Sequence, residues 1–296
     1  MIMSEKNDGL IDYNDVLDML SLTFLIYDYG KTVPYVVGDT IEQFVSRMNI
    51  TDESKINDES KLSDEKQNAV KHITENIIDG NIKEFISDED TDLQAGITIS
   101  DMNKRITIIF RGSESAYDWY YDINFIKKRI NKKENVCVHS GFYNQLTTNN
   151  NHEKLTTKVK ELLKEHPDYN IYVCGHSLGG ALCTLYGYML SNEISQHITV
   201  VSFASPRVGN YGWKQSFKSK SNLTHYRITN SNDIVTAFPS ILYYHVGKNI
   251  RLEKNMSPTF FLNKKCSWWD YSVFKCHSIT DHYCGEYYKH LSSIKW

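Results

Sequence analysis

Apolar residues recur at helical spacing near the start of the chain, where Leu17, Leu20, Phe24 and Tyr27 fall on one face. Asp18 interrupts the run, so Val16 to Tyr27 reads as a core-facing helix. Residues 51–68 lose this pattern. They hold a loose polar repeat: Asp52-Glu53-Ser54-Lys55, Asp58-Glu59-Ser60-Lys61 and Asp64-Glu65-Lys66. Such a stretch buries little and predicts a solvated helix or a mobile insert. From about residue 93 the texture changes. Asp92 to Ile99 and Arg105 to Phe110 are short runs rich in β-branched residues, with Asp101 to Lys104 as the turn between them. They predict a hairpin leading into a sheet. Leu155, Val159, Leu162 and Leu163 form one stripe over 153–165. Strands follow at Ile171–Cys174, Ile198–Phe203 and Thr224–Thr229, separated by helices over 178–190 and near 211–218. This alternation predicts an α/β fold, with a mostly parallel central sheet and helices on both faces.

Length and charge narrow the picture. The chain has 296 residues, enough for two average domains, though α/β folds of this size are often one. The expected organisation is an N-terminal helical segment over 1–91, carrying the 51–68 insert, and a core over 92–296. The two are expected to form one structural domain. A formal net charge of −3 gives no electrostatic case for nucleic acid. No run approaches the length of a transmembrane helix. Met1 to Leu10 is polar and acidic, without the basic and apolar regions of a signal peptide. A cytoplasmic location is therefore the default expectation. The six cysteines are Cys137, Cys174, Cys183, Cys266, Cys276 and Cys284. Buried thiols are the default without an export signal, although Cys266, Cys276 and Cys284 could pair under oxidising conditions. No pair has zinc-site spacing, and neither metal nor cofactor is expected.

The chemistry centres on Gly175-His176-Ser177-Leu178-Gly179. It fits G-x-S-x-G, in which a sharp strand-to-helix turn lifts the serine hydroxyl above a sheet. The pattern alone is a modest signal. Ile171 to Cys174 before it and the apolar helix after it supply the required context. A serine needs a base, and the base needs an orienting acid. In this fold they follow in the order Ser, Asp or Glu, His. Asp233 ends the turn Asn230-Ser231-Asn232-Asp233 after a strand, where it could equally be only a turn former. The later histidines are His245, His277, His282 and His290. His245 looks structural and His290 lies on a predicted surface helix. His277 and His282 both suit the base, and the residues themselves do not separate them. The amide of Leu178 and one from Phe110-Arg111-Gly112-Ser113 are candidates for an oxyanion hole. A plain strand-ending turn is the alternative at the second.

With these residues assembled, the chain resembles the class 3 lipases, the fungal-type family of the α/β-hydrolase superfamily, over roughly residues 92–290. Ile108-Ile109-Phe110-Arg111-Gly112-Ser113 resembles the family's oxyanion strand and loop, which implies Ser113 as the oxyanion residue. Glu114 to Asp122 is similar to the lid helix, with Tyr117, Trp119, Tyr120 and Tyr121 as lid residues. Val138-His139-Ser140-Gly141-Phe142 and Phe203-Ala204-Ser205-Pro206-Arg207-Val208-Gly209-Asn210 resemble two further family segments. Asn232-Asp233-Ile234-Val235, with Pro239, matches the triad-aspartate motif. His245-Val246-Gly247 is similar to the structural His-x-Gly. Asp281-His282 matches the Asp-His pair that carries the base, which implies His282 over His277. Residues 51–68 have no counterpart.

The resemblance implies a lipase that hydrolyses acylglycerols through Ser177, Asp233 and His282. Its substrate would be a lipid or ester, met at a lipid–water interface. An esterase or phospholipase on the same scaffold is the first alternative, and an inactive lipid-binding protein the second. Lys127-Lys128-Arg129 with Lys132-Lys133 could meet anionic head groups, and reads otherwise as a solvated loop face. Asn49, Asn222 and Asn255 sit in N-x-S/T sequons, which matter only for an exported chain.

Overall fold

Strand β3 (Arg105–Phe110) shows how the sequence builds two cores. Side chains alternate across a strand. Ile106, Ile108 and Phe110 join one apolar cluster, while Ile109 joins another on the opposite face. The computed structural model describes residues 10–29, 33–36, 38–53, 64–76, 80–113, 125–253, 257–261, 278–294 and 296.

The strands around β3 are β1 (Asn81–Asp88), β2 (Leu93–Ser100), β6 (Asn170–His176), β7 (Ile198–Phe203), β8 (Leu223–Asn230), β9 (Lys248–Leu252) and β10 (Thr259–Phe261). They form an eight-stranded sheet in the order β1-β2-β3-β6-β7-β8-β9-β10. Strand β2 pairs antiparallel with both β1 and β3, the strands β3, β6, β7, β8 and β9 run parallel, and β10 returns antiparallel. A separate two-stranded ribbon joins β4 (Lys127–Asn131) to β5 (Val136–His139).

Helices cover both faces. On one side lie α1 (Tyr13–Ile26), α2 (Ile41–Glu53), α3 (Asp64–Asn76) and α8 (Cys284–Ser292). On the other lie α4 (Ser140–Thr147), α5 (Asn151–Glu165), α6 (Leu178–Leu190) and α7 (Tyr211–Lys218). Helix α6 is buried nearly all round, which fits its run of apolar and small residues. Asp12 starts α1 by accepting the amide of Asn14, and Asn210 starts α7 by accepting that of Trp213.

One buried ion cluster ties the N-terminal helices to the sheet. Arg105, at the start of β3, donates to Asp15 at 3.2 Å and to Asp18 at 2.7 Å, both on α1. His72 of α3 meets Asp18 at 2.7 Å, and the Tyr172 hydroxyl donates to Asp15 at 2.8 Å. Asp18 therefore interrupts the apolar run because it faces a buried guanidinium. Burial raises the Asp15 carboxyl above its ordinary range, against the pull of Tyr172 and Arg105.

Two expectations need correction. The first 91 residues are not all helical: Asn81–Asp88 is an edge strand paired with β2. The 91/92 boundary therefore falls in a turn within one sheet. The alternation of Ile82 with its neighbours was too weak a signal beside the long helical stretch. Second, the basic run Lys127–Arg129 is strand rather than loop, because β5 supplies its backbone partners. In the polar stretch 51–68 both described ends are helical, in keeping with a solvated helix. Thr51–Glu53 closes α2, and Lys66 of α3 is ion-paired with Asp28; residues 54–63 lie outside the described residues. Cys137, Cys174, Cys183 and Cys284 are free thiols, while Cys266 and Cys276 lie outside the described residues. Burial pushes the Cys174 thiol up to about 12.

Gly187 lets α6 approach the sheet. A Cβ there would stand 2.5 Å from Cγ2 of Val200 on β7. Gly187→Ala should therefore destabilise the fold by about 1–3 kcal/mol despite alanine's better helix propensity. Urea denaturation checks this, and an unchanged or raised midpoint would contradict it.

Candidate active site

The turn between β6 and α6 decides the site. Ser177 sits at φ 58° and ψ −122°, a conformation that L-residues seldom adopt. Such a backbone costs on the order of 1–3 kcal/mol and persists only where its surroundings enforce it. Two glycines make room. A Cβ on Gly175 would fall on the Gly179 carbonyl, and one on Gly179 would fall on the Phe110 carbonyl. The serine thus stands at the carboxyl end of β6, with the first turn of α6 directly behind it. The amides of that turn have no partners within the helix and carry its positive dipole end.

Asp233 and His282 come from far along the chain and meet Ser177. His282 Nε2 lies 2.8 Å from Ser177 Oγ. His282 Nδ1 lies 3.0 and 3.1 Å from the two oxygens of Asp233. A carboxylate only accepts, so Nδ1 carries the proton and Nε2 accepts the serine hydroxyl. All three side chains are buried: Ser177 is 1% exposed, and Asp233 and His282 are 0%. Asp233 is itself fixed, accepting the Val235 amide at 2.9 Å and the Tyr287 hydroxyl at 2.7 Å. The Asp233–Ser278 bridge ties the acid's loop to the segment that carries His282.

The other histidines take different positions. His245 Nε2 donates to the Thr236 carbonyl at 2.8 Å. His290 Nδ1 bonds Asn230 Oδ1 at 2.9 Å on α8, so this ring points inward from its helix. His277 lies outside the described residues, as do the lid residues Tyr117, Trp119, Tyr120 and Tyr121. Ser113 follows β3 and lines a cavity of about 230 Å³ with Phe24, Tyr27, His176, Ser177 and His282. Leu178 opens α6 and is buried. Among the described residues, no group of three or more His, Cys, Asp or Glu is arranged to hold a metal ion. No described helix is long and apolar enough to cross a membrane.

The bracing roles of four residues escaped the sequence reading, although Tyr287 stands out there as an aromatic close after Asp281-His282. His176 Nε2–H donates to the backbone carbonyl of His282 at 2.7 Å, so its Nδ1 accepts the Tyr27 hydroxyl at 3.1 Å. This chain holds the backbone that carries the base. Burial, reinforced by the neighbouring His282, keeps His176 well below the ordinary histidine range and thus neutral. Tyr287 donates to Asp233 and accepts the Asn230 amide at 2.9 Å, while Asn230 Nδ2 donates to the Asp281 carbonyl at 2.7 Å. The signals were present but unspecific: the variable position of G-x-S-x-G, an aromatic five residues after His282, and an asparagine at a strand end.

The arrangement has the geometry of a serine-hydrolase triad set at the edge of an α/β-hydrolase sheet. The chain's relatives agree. The family model described as Lipase (class 3) matches residues 107–243. The secreted mono- and diacylglycerol lipase A of Penicillium cyclopium is 28% identical over 166 residues, 55% of this chain and 53% of that protein. A lipase of Rhizomucor miehei is 29% identical over 174 residues, 57% of this chain and 47% of that protein. Phospholipase A1-IIgamma of Arabidopsis thaliana is 29% identical over 179 residues, 52% and 43% of the two chains. The chain thus spans about half the length of the curated relatives it matches. The solved triacylglyceride lipase of Rhizomucor miehei superposes with a TM-score of 0.61 at 26% identity, covering 70% of this chain and 81% of that one. A fungal lipase structure shares the fold at a TM-score of 0.73 over 94% of this chain and 96% of that one. Through residues 107–243 the chain is similar to the class 3 lipase family.

Two predictions follow from the buried partners. Tyr287→Phe leaves the Asn230 amide unpaired and removes a donor from Asp233. It should cost about 1–3 kcal/mol of stability and lower turnover roughly tenfold with little change in KM. Equal turnover in purified mutant and wild type would contradict it. The second concerns pH. Burial holds His176, His225 and His245 well below their ordinary value of 6.5. The unfolded chain takes up protons below about pH 6.5 while the folded chain does not. Stability is therefore retained above that pH and lost below it, by about 1.4 kcal/mol per pH unit for each histidine that stays neutral. Urea midpoints at pH 7.5, 6 and 5 should fall in that order, and His225→Asn should flatten the decline.

Proposed function

We propose that the protein is a carboxylic ester hydrolase, a lipase acting on acylglycerols through an acyl-enzyme. The observation that carries this reading is the unbroken contact from Ser177 through His282 to Asp233. As Ser177 Oγ attacks the ester carbonyl, His282 Nε2 takes its proton, and Asp233 steadies the resulting imidazolium. The amides of Ser113 and Leu178 hold the tetrahedral oxyanion; one such donor is worth about 3 kcal/mol. His282 then passes the proton to the leaving alcohol. Water, activated by the same imidazole, releases the fatty acid and restores Ser177. The cavity wall of Phe24 and Tyr27 offers an apolar side to the acyl group. In this reading Tyr117, Trp119, Tyr120 and Tyr121 form the cover that opens at a lipid–water interface.

A second reading, hydrolysis of phospholipid esters at the same serine, is supported by the phospholipase A1 relatives from rice and Arabidopsis thaliana. An inactive lipid-binding protein is the weaker rival, since it would have no need of a complete triad. Ser177→Ala should reduce ester hydrolysis to near background and abolish labelling by a fluorophosphonate probe. Wild-type turnover in the pure variant would overturn the proposal. Relative rates on triacylglycerol, phosphatidylcholine and a soluble short-chain ester separate the substrate classes.

A further inference from the structure

Two chain segments leave the catalytic edge of the sheet and meet again at the surface. One leaves the end of β3 through Ser113 and returns at Phe125 and Ile126. The other leaves β8 through Asp233 and reaches Ile241 and Leu242. Tyr243 joins them, its hydroxyl donating to the carbonyls of Phe125 at 3.2 Å and Ile126 at 3.3 Å. Four large apolar side chains are exposed there: Phe125 by 52%, Ile126 by 63%, Ile241 by 75% and Leu242 by 66%. Isolated exposed apolar residues are ordinary, but four brought together by one hydrogen-bonded tyrosine mark a contact surface.

The charge beside this patch identifies its partner. Strand β4 begins at the next residue. Between Phe125 and Lys133 the chain carries five cations and no anion: Lys127, Lys128, Arg129, Lys132 and Lys133. All but Lys127 are exposed, and Lys127 Nζ lies 4.2 Å from the centre of the Tyr243 ring. The protein as a whole is acidic, with a formal net charge of −3, so this is a local concentration of positive charge.

We propose that the β4–β5 ribbon and the Phe125–Ile126 and Ile241–Leu242 tips form a dock for an anionic lipid surface. The apolar tips enter the boundary between head groups and acyl chains, while the cations remain among the phosphates and carboxylates of anionic lipids. Loop-borne apolar side chains beside long, flexible lysines suit a fluid surface better than a shaped protein partner. Because both segments run from the carboxyl edge of the parallel strands, docking turns Ser177 toward the lipid. The inference rests on the hydrolase reading for its use, but not for its surface chemistry.

The test measures partition of the full chain onto vesicles, with Ser177→Ala preventing hydrolysis of the lipid. Vesicles of phosphatidylcholine alone are compared with vesicles containing about one third phosphatidylserine. Binding to the anionic vesicles should be at least about tenfold tighter, and the preference should collapse at about 1 M salt, where the screening length is near 3 Å. Lys128→Gln with Arg129→Gln should lower anionic partition about tenfold or more. Ile241→Ser with Leu242→Ser should weaken binding to both vesicle types. Equal binding to neutral and anionic vesicles overturns the proposal. So does capture of soluble polyglutamate without a preference between vesicles, which points to an acidic protein instead. The salt titration uses unaltered surface residues, so a misfolded variant does not blunt the test. Wild-type turnover of a soluble short-chain ester is read in parallel. Its absence alongside intact anionic binding removes the hydrolase reading and leaves the dock standing.

Discussion

A serine forced into a left-handed turn is the constraint on which the rest of the molecule depends. Left to itself, the backbone at Ser177 would relax, and the hydroxyl would leave the edge of the sheet. Three features prevent this. Strand β6 is held between parallel neighbours on both sides, so the approach to the turn cannot move. Helix α6 is buried along its length, so the departure cannot move either. Gly175 and Gly179 remove the side chains that would separate the two. The strain is offset by packing spread over many residues.

The same economy governs the acid and the base. Asp233 stands in a loop beyond the end of β8, and His282 in a short turn before α8. Neither position is rigid through its own local structure. Each is steadied by groups that serve both: Tyr287 reaches the carboxylate and the end of β8, and Asn230 reaches the segment holding the base. His176 adds a third tie, from the residue beside the nucleophile to the backbone of His282. The triad is therefore cross-braced through buried polar groups, each with a partner. In a low-dielectric setting such bonds are strong, and expensive to leave unmade.

Much of this was legible in the amino-acid sequence. The helix over 178–190 and the strand over 198–203 could be read residue by residue, because α6 and β7 are buried and their apolar patterns are unbroken. The antiparallel hairpin of β2 and β3 was equally plain. Edge elements were harder to read. Strand β1 is half solvated and carries Lys83 and Glu84, so its alternation is diluted. Strand β4 is polar except for Ile130, and only its pairing with β5 makes it a strand. At the site, the order of motifs pointed to Ser177, Asp233 and His282. Local residue chemistry alone left His277 and His282 level, since the choice depends on long-range geometry. The bracing by Tyr27, His176 and Tyr287 joins positions more than a hundred residues apart or lies in unremarkable aromatic stretches. No spacing rule announces such contacts.

The guanidinium at the first residue of β3 has a consequence for how the polypeptide can be divided. It is almost wholly enclosed, and its two carboxylate partners both come from the first helix, roughly ninety residues upstream. A shortened version starting at β2 would keep the nucleophile, acid and base, yet lose both carboxylates and bare the apolar sheet face that the first helices cover. The amino-terminal third is thus an electrostatic keystone of the hydrolase body, and no appendage that could be trimmed away.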